Sequence, residues 1–196
     1  MVDVDGVIIR PRPGGWAADI ERDLRISAKA LETLFFAPHW SDIVLGRAGL
    51  HERLGSVLAE HAPHLTSHDL TAYWFEQDAV LDDKLLSDLA ALRRSGIHLH
   101  LATVQEHERA AYLWNTLGLR DHFDAMHYAA ALACAKPDPA FYRAIEARTG
   151  LAPTDLVMLD DRMENIDAAC ACGWGGVHWS GDAALAEVLT SAGIAW

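Results

Sequence analysis

Met1-Val2-Asp3-Val4-Asp5-Gly6-Val7 opens the chain with two acids, Asp3 and Asp5, spaced one residue apart behind a short apolar start. Three further signals follow in order: Leu101-Ala102-Thr103, Ala135-Lys136-Pro137-Asp138-Pro139, and Val157-Met158-Leu159-Asp160-Asp161. Each stands where an apolar run ends or a helix begins. In an open α/β sheet that is the rim outside the carboxyl ends of the strands, where ligands bind. Acids, a hydroxyl and one lysine therefore converge on one point.

Outward from these motifs, the second half of the chain alternates strand and helix. Ile97 to Ala102 reads as a strand, followed by a helix from about Gln105 to Leu117 that Gly118 closes. Phe123 to Tyr128 reads as a strand. Asp138 as N-cap and Pro139 at the first helical position start a helix that runs to Arg148 and ends at Gly150. Asp155 to Leu159 is an apolar strand, Met163 to Cys172 a helix ended by Gly173, Gly176 to Trp179 a strand, and Asp182 to Ala192 a helix. Such alternation implies right-handed crossovers and a parallel sheet buried between helical layers. The first strand is then Met1 to Asp5. Only Met1 and Val2 precede Asp3, whereas a buried strand usually has about five residues, so the natural start is expected upstream or the sequence truncated.

From Trp16 to Leu81 the pattern changes to helices alone. Ser27 to Phe36, Leu50 to His61 and Ser67 to Val80 place apolar residues at spacings of three and four, with Pro38 and Pro63 as punctuation. Gly6 to Gly15 is a turn-rich neck. The expected organisation is an α/β Rossmann-like three-layer core over residues 1–15 and 82–196, with an all-helical cap over 16–81.

The chain's 196 residues suit one large domain or one with a smaller insert. A net charge of -12 disfavours nucleic acid and anionic membrane as partners, and favours a bound cation. No apolar run approaches the roughly 20 residues of a membrane-spanning helix, so a cytoplasmic protein is expected. Cys134, Cys170 and Cys172 have no zinc spacing and read as small buried thiols.

On a strand ending at Asp5, Asp3 and Asp5 would point the same way and repel by roughly 1 to 4 kcal/mol at about 4 Å. Asp160 and Asp161 bring the acids at the rim to four. The EF-hand reading fails, because the third oxygen ligand and the closing Glu are absent. An oxygen-only site of this kind favours Mg²⁺. Lys136 adds a compact positive charge, and Thr103 sets a hydroxyl beside the free backbone donors of the next helix. Together these describe a site for a phosphoryl group.

The order DxDGV, LAT, KPDPAFY and LDDRMEN resembles the four motifs of the haloacid dehalogenase superfamily over nearly the whole chain. The resemblance implies a Rossmann-like core with a helical cap inserted after the first motif. It makes Asp3 the nucleophile that forms an aspartyl-phosphate and Asp5 the general acid and base. It puts Thr103 and Lys136 on the phosphoryl oxygens, Lys136 also neutralising Asp3. Asp161 would ligate Mg²⁺, and Asp160 would ligate it or hold a coordinated water. The Asp5 carbonyl completes the set, and Asn165 braces the loop. An acid at position 5 separates phosphate chemistry from carbon-halogen cleavage, for which relatives lack it. Val104 departs from the Thr-Asn of many relatives, so a phosphate-facing amide is expected to be missing.

Other candidates carry less. His51-Glu52-Arg53-Leu54-Gly55 has Gly55 where a metalloprotease helix needs its second histidine. His61, His64 and His68 read as loop residues split by Pro63, and His98 and His100 as one face of a strand. Trp16, Phe35, Phe36, Trp40, Tyr73, Trp74 and Phe75 read mainly as cap core, with one or two facing the leaving group. Arg47, between Gly46 and Gly49, is the basic candidate for substrate contact. The expected function is a Mg²⁺-dependent phosphatase of a small phosphorylated metabolite. The alternatives are a phosphosugar mutase with the same intermediate and a catalytically silent binding protein. A two-component receiver is disfavoured, since its acidic pair comes first and here Asp160-Asp161 comes last.

Overall fold

The computed structural model describes residues 1–194 of the chain. Four short strands, β1 (His100–Thr103), β2 (Ala125–Tyr128), β3 (Val157–Asp160) and β4 (Gly175–His178), form two parallel pairs, β1 with β2 and β3 with β4. Val2 joins the pairs by bridging Leu101 on one side and Leu159 on the other, both in parallel. The spatial order is therefore β2, β1, the N-terminal segment, β3, β4. The carboxyl ends of the central strands all face the same way, which gathers Asp3, Thr103 and Asp160.

Strand alternation sorts neighbouring residues into opposite layers. Leu101 and Leu159 join Val2, Leu85, Leu89, Leu113 and Leu185 in one apolar cluster. Their neighbours Ala102 and Met158 join Phe141, Tyr142, Ile145 and Ile166 in another. Helices Asp83–Arg94 and Leu185–Ser191 thus cover one face of the sheet, and Pro139–Thr149 and Met163–Ala171 the other. Covering both faces is the condition under which parallel strands persist.

The first strand is shorter than Met1 to Asp5. The Val4 carbonyl accepts from the amides of Ile8 and Ile9, both at 2.9 Å, and turns the chain back on itself. Pairing with the sheet stops at Asp3, Asp5 instead bridges Ile9 inside the turn, and the period-two argument that aligned Asp3 with Asp5 does not reach Asp5. The other strands are offset by a few residues from their sequence reading. In β1 the offset arises because the Leu99 amide bonds the Asp124 carboxylate at 3.0 Å instead of a neighbouring strand. The helix Asp83–Arg94 had no sequence expectation, although Asp82 caps it through the Leu85 amide at 3.0 Å and Leu85, Leu86, Leu89 and Leu92 stripe its inner face.

Residues 20–77 hold helices only, and Ile20, Leu31, Phe35, Ile43, Leu54, Leu58, Leu70 and Trp74 give them a core of their own. Pro63 closes the helix Leu50–His61 as expected, but Pro38 does not punctuate. It lies in Ala37–Val44, directly after a π turn at Glu32–Phe36 where the Ala37 amide reaches back to the Glu32 carbonyl. That wider turn lets the helix pass a proline that lacks a donor. The expected helix Ser67 to Val80 ends at Gln77 and starts with a capping box between Thr66 and Asp69. The two linkers to this segment run side by side: Ile9 bridges Leu81 antiparallel, the Arg10 amide bonds the Val80 carbonyl at 2.9 Å, and Arg10 pairs with Asp82 at 2.9 Å.

Candidate active site

Asp3 leaves the sheet buried, with Oδ1 accepting from the Val4 amide at 2.7 Å and facing Lys136 Nζ at 2.9 Å. Lys136 Nζ also lies 2.6 Å from Asp160 Oδ2. The same ammonium thus ties the end of the N-terminal segment to the end of β3. Asn165 Nδ2 holds both Asp160 oxygens at 2.9 and 3.1 Å, the Arg162 amide takes Oδ1 at 2.9 Å, and the Tyr142 hydroxyl fixes the Asn165 carbonyl at 2.7 Å. Asp160 is therefore fully satisfied and cannot swing.

Asp161 is different. Its Oδ1 is buried with no hydrogen-bond partner among the described residues, a costly state for a polar atom. Oxygens of Asp3, Asp160 and Asp161 lie within 4.8 Å of one another. Three convergent carboxylates, one of them orphaned, fit a hard divalent cation. Burial raises the pKa of Asp3 against the pull of Lys136, with Asp160 adding to the rise, and burial followed by Asp160 raises that of Asp161. A cation at this point would relieve both. Gly6 makes the approach possible, because at φ +80° a Cβ there would stand 2.3 Å from Asp161 Oδ2.

Asp5 sits apart from this cluster. Its Oδ2 accepts from Gln105 Nε2 at 2.6 Å, and its side chain stays exposed. The protein packed around its base raises its pKa, opposed by the nearby Arg109 guanidinium. Thr103 is buried at the end of β1 with Oγ1 3.4 Å from Gln105 Nε2. Of the residues expected at the site, Asp3, Lys136, Asp160, Asp161 and Asn165 form one cluster, and Gln105 links Asp5 to Thr103. The Arg47 side chain is 61% exposed and faces Asp42 at 3.7 Å.

Sequence reasoning passed over Gln105, Glu106 and Arg109. Glu106 caps the helix His107–Ala111 by accepting from the Glu108 amide at 2.6 Å and from the Arg109 amide, and burial pushes its pKa up to about 7. Arg109 is buried, bonds the carbonyls of Phe75 and Asp78 at the end of Ser67–Gln77, and lies over the rings of Phe75 and Tyr112. Glutamate is not among the residues favoured at a helix N-cap, so the sequence carried no capping signal at Glu106. Nothing in the sequence marked Gln105 or Arg109.

The model of the haloacid dehalogenase-like hydrolases matches residues 1–173. The chain belongs to that family. Haloacid dehalogenase-like chains of known structure share its fold. An enzyme of the family from Bacteroides thetaiotaomicron, in complex with magnesium and inorganic phosphate, superposes with a TM-score of 0.79 at 16% identity, over 95% of this chain and 96% of that one. The L-2-haloacid dehalogenase of Xanthobacter autotrophicus gives a TM-score of 0.59 at 19% identity, over 100% of this chain and 83% of that one. A sesquiterpene phosphatase of Aspergillus oryzae is 24% identical over 167 residues, 80% of either chain. A chloroplast flavin mononucleotide hydrolase of Arabidopsis thaliana is 37% identical over 59 residues, 30% of this chain and 24% of that relative's length.

One sizeable cavity lies away from the acids. It has a volume of about 390 Å³, lies at the opposite end of the sheet, and is lined mostly by apolar side chains such as Leu92, Leu99, Leu156 and Leu189. It offers no set of charged groups for phosphoryl chemistry. Among the described residues no helix is long and apolar enough to cross a membrane.

Proposed function

We propose that this hydrolase is a Mg²⁺-dependent phosphatase that cleaves a small phosphorylated metabolite through an aspartyl-phosphate on Asp3. The observation that carries the reading is the division of labour between the two N-terminal acids. Asp3 is buried, locked through Oδ1 to Lys136 and the Val4 amide, with Oδ2 free to attack. Asp5 is held separately by Gln105 and reaches solvent, as a group that exchanges protons must. Phosphatase and flavin mononucleotide hydrolase relatives support a phosphate ester as substrate, and the second acid favours it over carbon-halogen cleavage.

Mg²⁺, held by Asp3, Asp161, Asp160 and the Asp5 carbonyl, would supply charge to the phosphoryl oxygens and to the crowded carboxylates. The protein's own residues do the rest. Asp3 Oδ2 attacks phosphorus in line while Lys136 and Thr103 take the equatorial oxygens, where charge spreads in a loose transition state. Asp5 gives its proton to the leaving oxygen, and the aspartyl-phosphate forms as that bond breaks. Asp5, now a carboxylate, takes a proton from water, which attacks phosphorus and frees Asp3. Residues 16–81, with their own core, act as a cap over the site, and the substrate's leaving group meets that cap.

The test is phosphate release from an aryl phosphate. The expected result is turnover that requires Mg²⁺, stops with EDTA and is lost in Asp3→Asn with the thermal unfolding curve retained. Turnover undiminished in Asp3→Asn overturns the reading.

A further inference from the structure

We propose that Gln105 is the positioning residue of Asp5. This rests on the phosphatase reading and extends it to a residue with no assigned role. Position 104 is Val, so the loop after β1 carries no amide there. Gln105 is buried at 5% exposure, unusual for a glutamine unless its amide is engaged. The engagement is visible: Nε2 stands 2.6 Å from Asp5 Oδ2 and 3.4 Å from Thr103 Oγ1. Among the described residues, no other side chain donates a hydrogen bond to Asp5.

The backbone around Gln105 is fixed on both sides. Its carbonyl accepts from the Ala130 amide at 3.1 Å, and the next residue, Glu106, caps the following helix. Arg109, the cation with the strongest pull on Asp5, has its guanidinium committed to the carbonyls of Phe75 and Asp78. Asp5 itself lies within the turn that the Val4 carbonyl closes with Ile8 and Ile9, with an exposed side chain. Without Gln105 its carboxyl group is free to rotate. An amide N–H on Oδ2 leaves Oδ1 as the oxygen that carries the transferred proton, aimed at one place. General acid catalysis depends on that aim.

The proposal predicts a loss that depends on the leaving group. The probes are p-nitrophenyl phosphate, whose leaving group departs without a proton, and phenyl phosphate, which has the same shape and a more basic leaving oxygen. The parameter is kcat/KM at saturating Mg²⁺, which reports the first phosphoryl transfer only. In Gln105→Ala and the near-isosteric Gln105→Met, kcat/KM for phenyl phosphate should fall at least about tenfold further than for p-nitrophenyl phosphate, within the 10²–10⁴ range of acid-base catalysis. Equal losses on both esters, or no loss, overturn the proposal and leave the phosphatase reading standing. Absence of Mg²⁺-dependent turnover in the wild-type protein overturns the phosphatase reading instead. If both variants unfold, a crystal structure of the Mg²⁺-loaded wild-type protein decides. A Gln105 to Asp5 contact within hydrogen-bond distance supports the proposal, and separation beyond about 3.5 Å overturns it.

Discussion

Gly6 and Asp161 are in direct register: a Cβ on Gly6 would lie 2.3 Å from Asp161 Oδ2 and 2.7 Å from its Cγ. Glycine is required twice over, since φ is +80° as well. Gly6→Ala should therefore push Asp161 out of the acidic cluster and add about 1 to 2 kcal/mol of backbone strain. The expected outcome is Mg²⁺ affinity weakened at least about tenfold by calorimetry, with activity falling in step. Unchanged Mg²⁺ affinity would show that Asp161 is not a ligand.

Lys136 is the sole cation paired with Asp3 and Asp160 among the described residues. Lys136→Met leaves those two buried carboxylates facing each other without a counter-charge. Removing one partner of a buried pair costs about 3 to 5 kcal/mol, so the melting temperature should drop markedly in EDTA. Mg²⁺ should restore part of it, because a ligand that binds only the folded state stabilises by mass action. Melting curves that match wild type in EDTA would refute the ion-pair argument.

Much of this arrangement was legible because it depends on local patterns. Asp138-Pro139 and Gly150 bound a helix in any context, and the structure caps it through the Ala140 amide at 2.8 Å and closes it at φ +70°. The convergence of Asp3, Lys136 and Asp160 followed from placing the two acidic motifs at the ends of parallel strands and the lysine motif at the start of a helix. Contacts set by tertiary packing were not legible. The turn at Val4, which gives Asp3 and Asp5 different partners, depends on hydrogen bonds from Ile8 and Ile9 that no period reveals. Gln105 looked like an ordinary polar residue at a helix start until the fold brought it to Asp5, 100 positions away.

Arg109 joins the core to the end of the cap helix Ser67–Gln77 through the carbonyls of Phe75 and Asp78. It also rests on the Phe75 and Tyr112 rings at 5.2 and 5.5 Å from their centroids. Arg109→Met keeps some of the packing and removes the donors, leaving the Phe75 carbonyl unsatisfied. An unsatisfied buried acceptor costs about 1 to 3 kcal/mol, so stability in urea should fall by that amount. KM should rise as the cap loses its anchor, and an unchanged KM would separate the anchor from substrate binding.

His127 on β2 lies with Nε2 3.1 Å from His100 Nδ1, and its own Nδ1 is buried without a partner among the described residues. Burial, then His100, Arg148 and the Met1 ammonium, bring its pKa from 6.5 down to about 4. Between those values the unfolded chain binds a proton that the folded protein refuses, so stability rises with pH across the window and is lost as pH falls from 6.5 toward 4. Glu106 acts in the opposite sense, since its raised pKa near 7 makes the folded state the better proton acceptor above the usual glutamate range. The wild-type profile therefore mixes two signs, and a variant is needed to separate them. His127→Gln removes one titration and leaves Glu106 in place. The melting temperature of wild type minus that of His127→Gln should decline steadily from neutral pH to about pH 4.5, and a difference that stays flat would show that His127 does not titrate against folding.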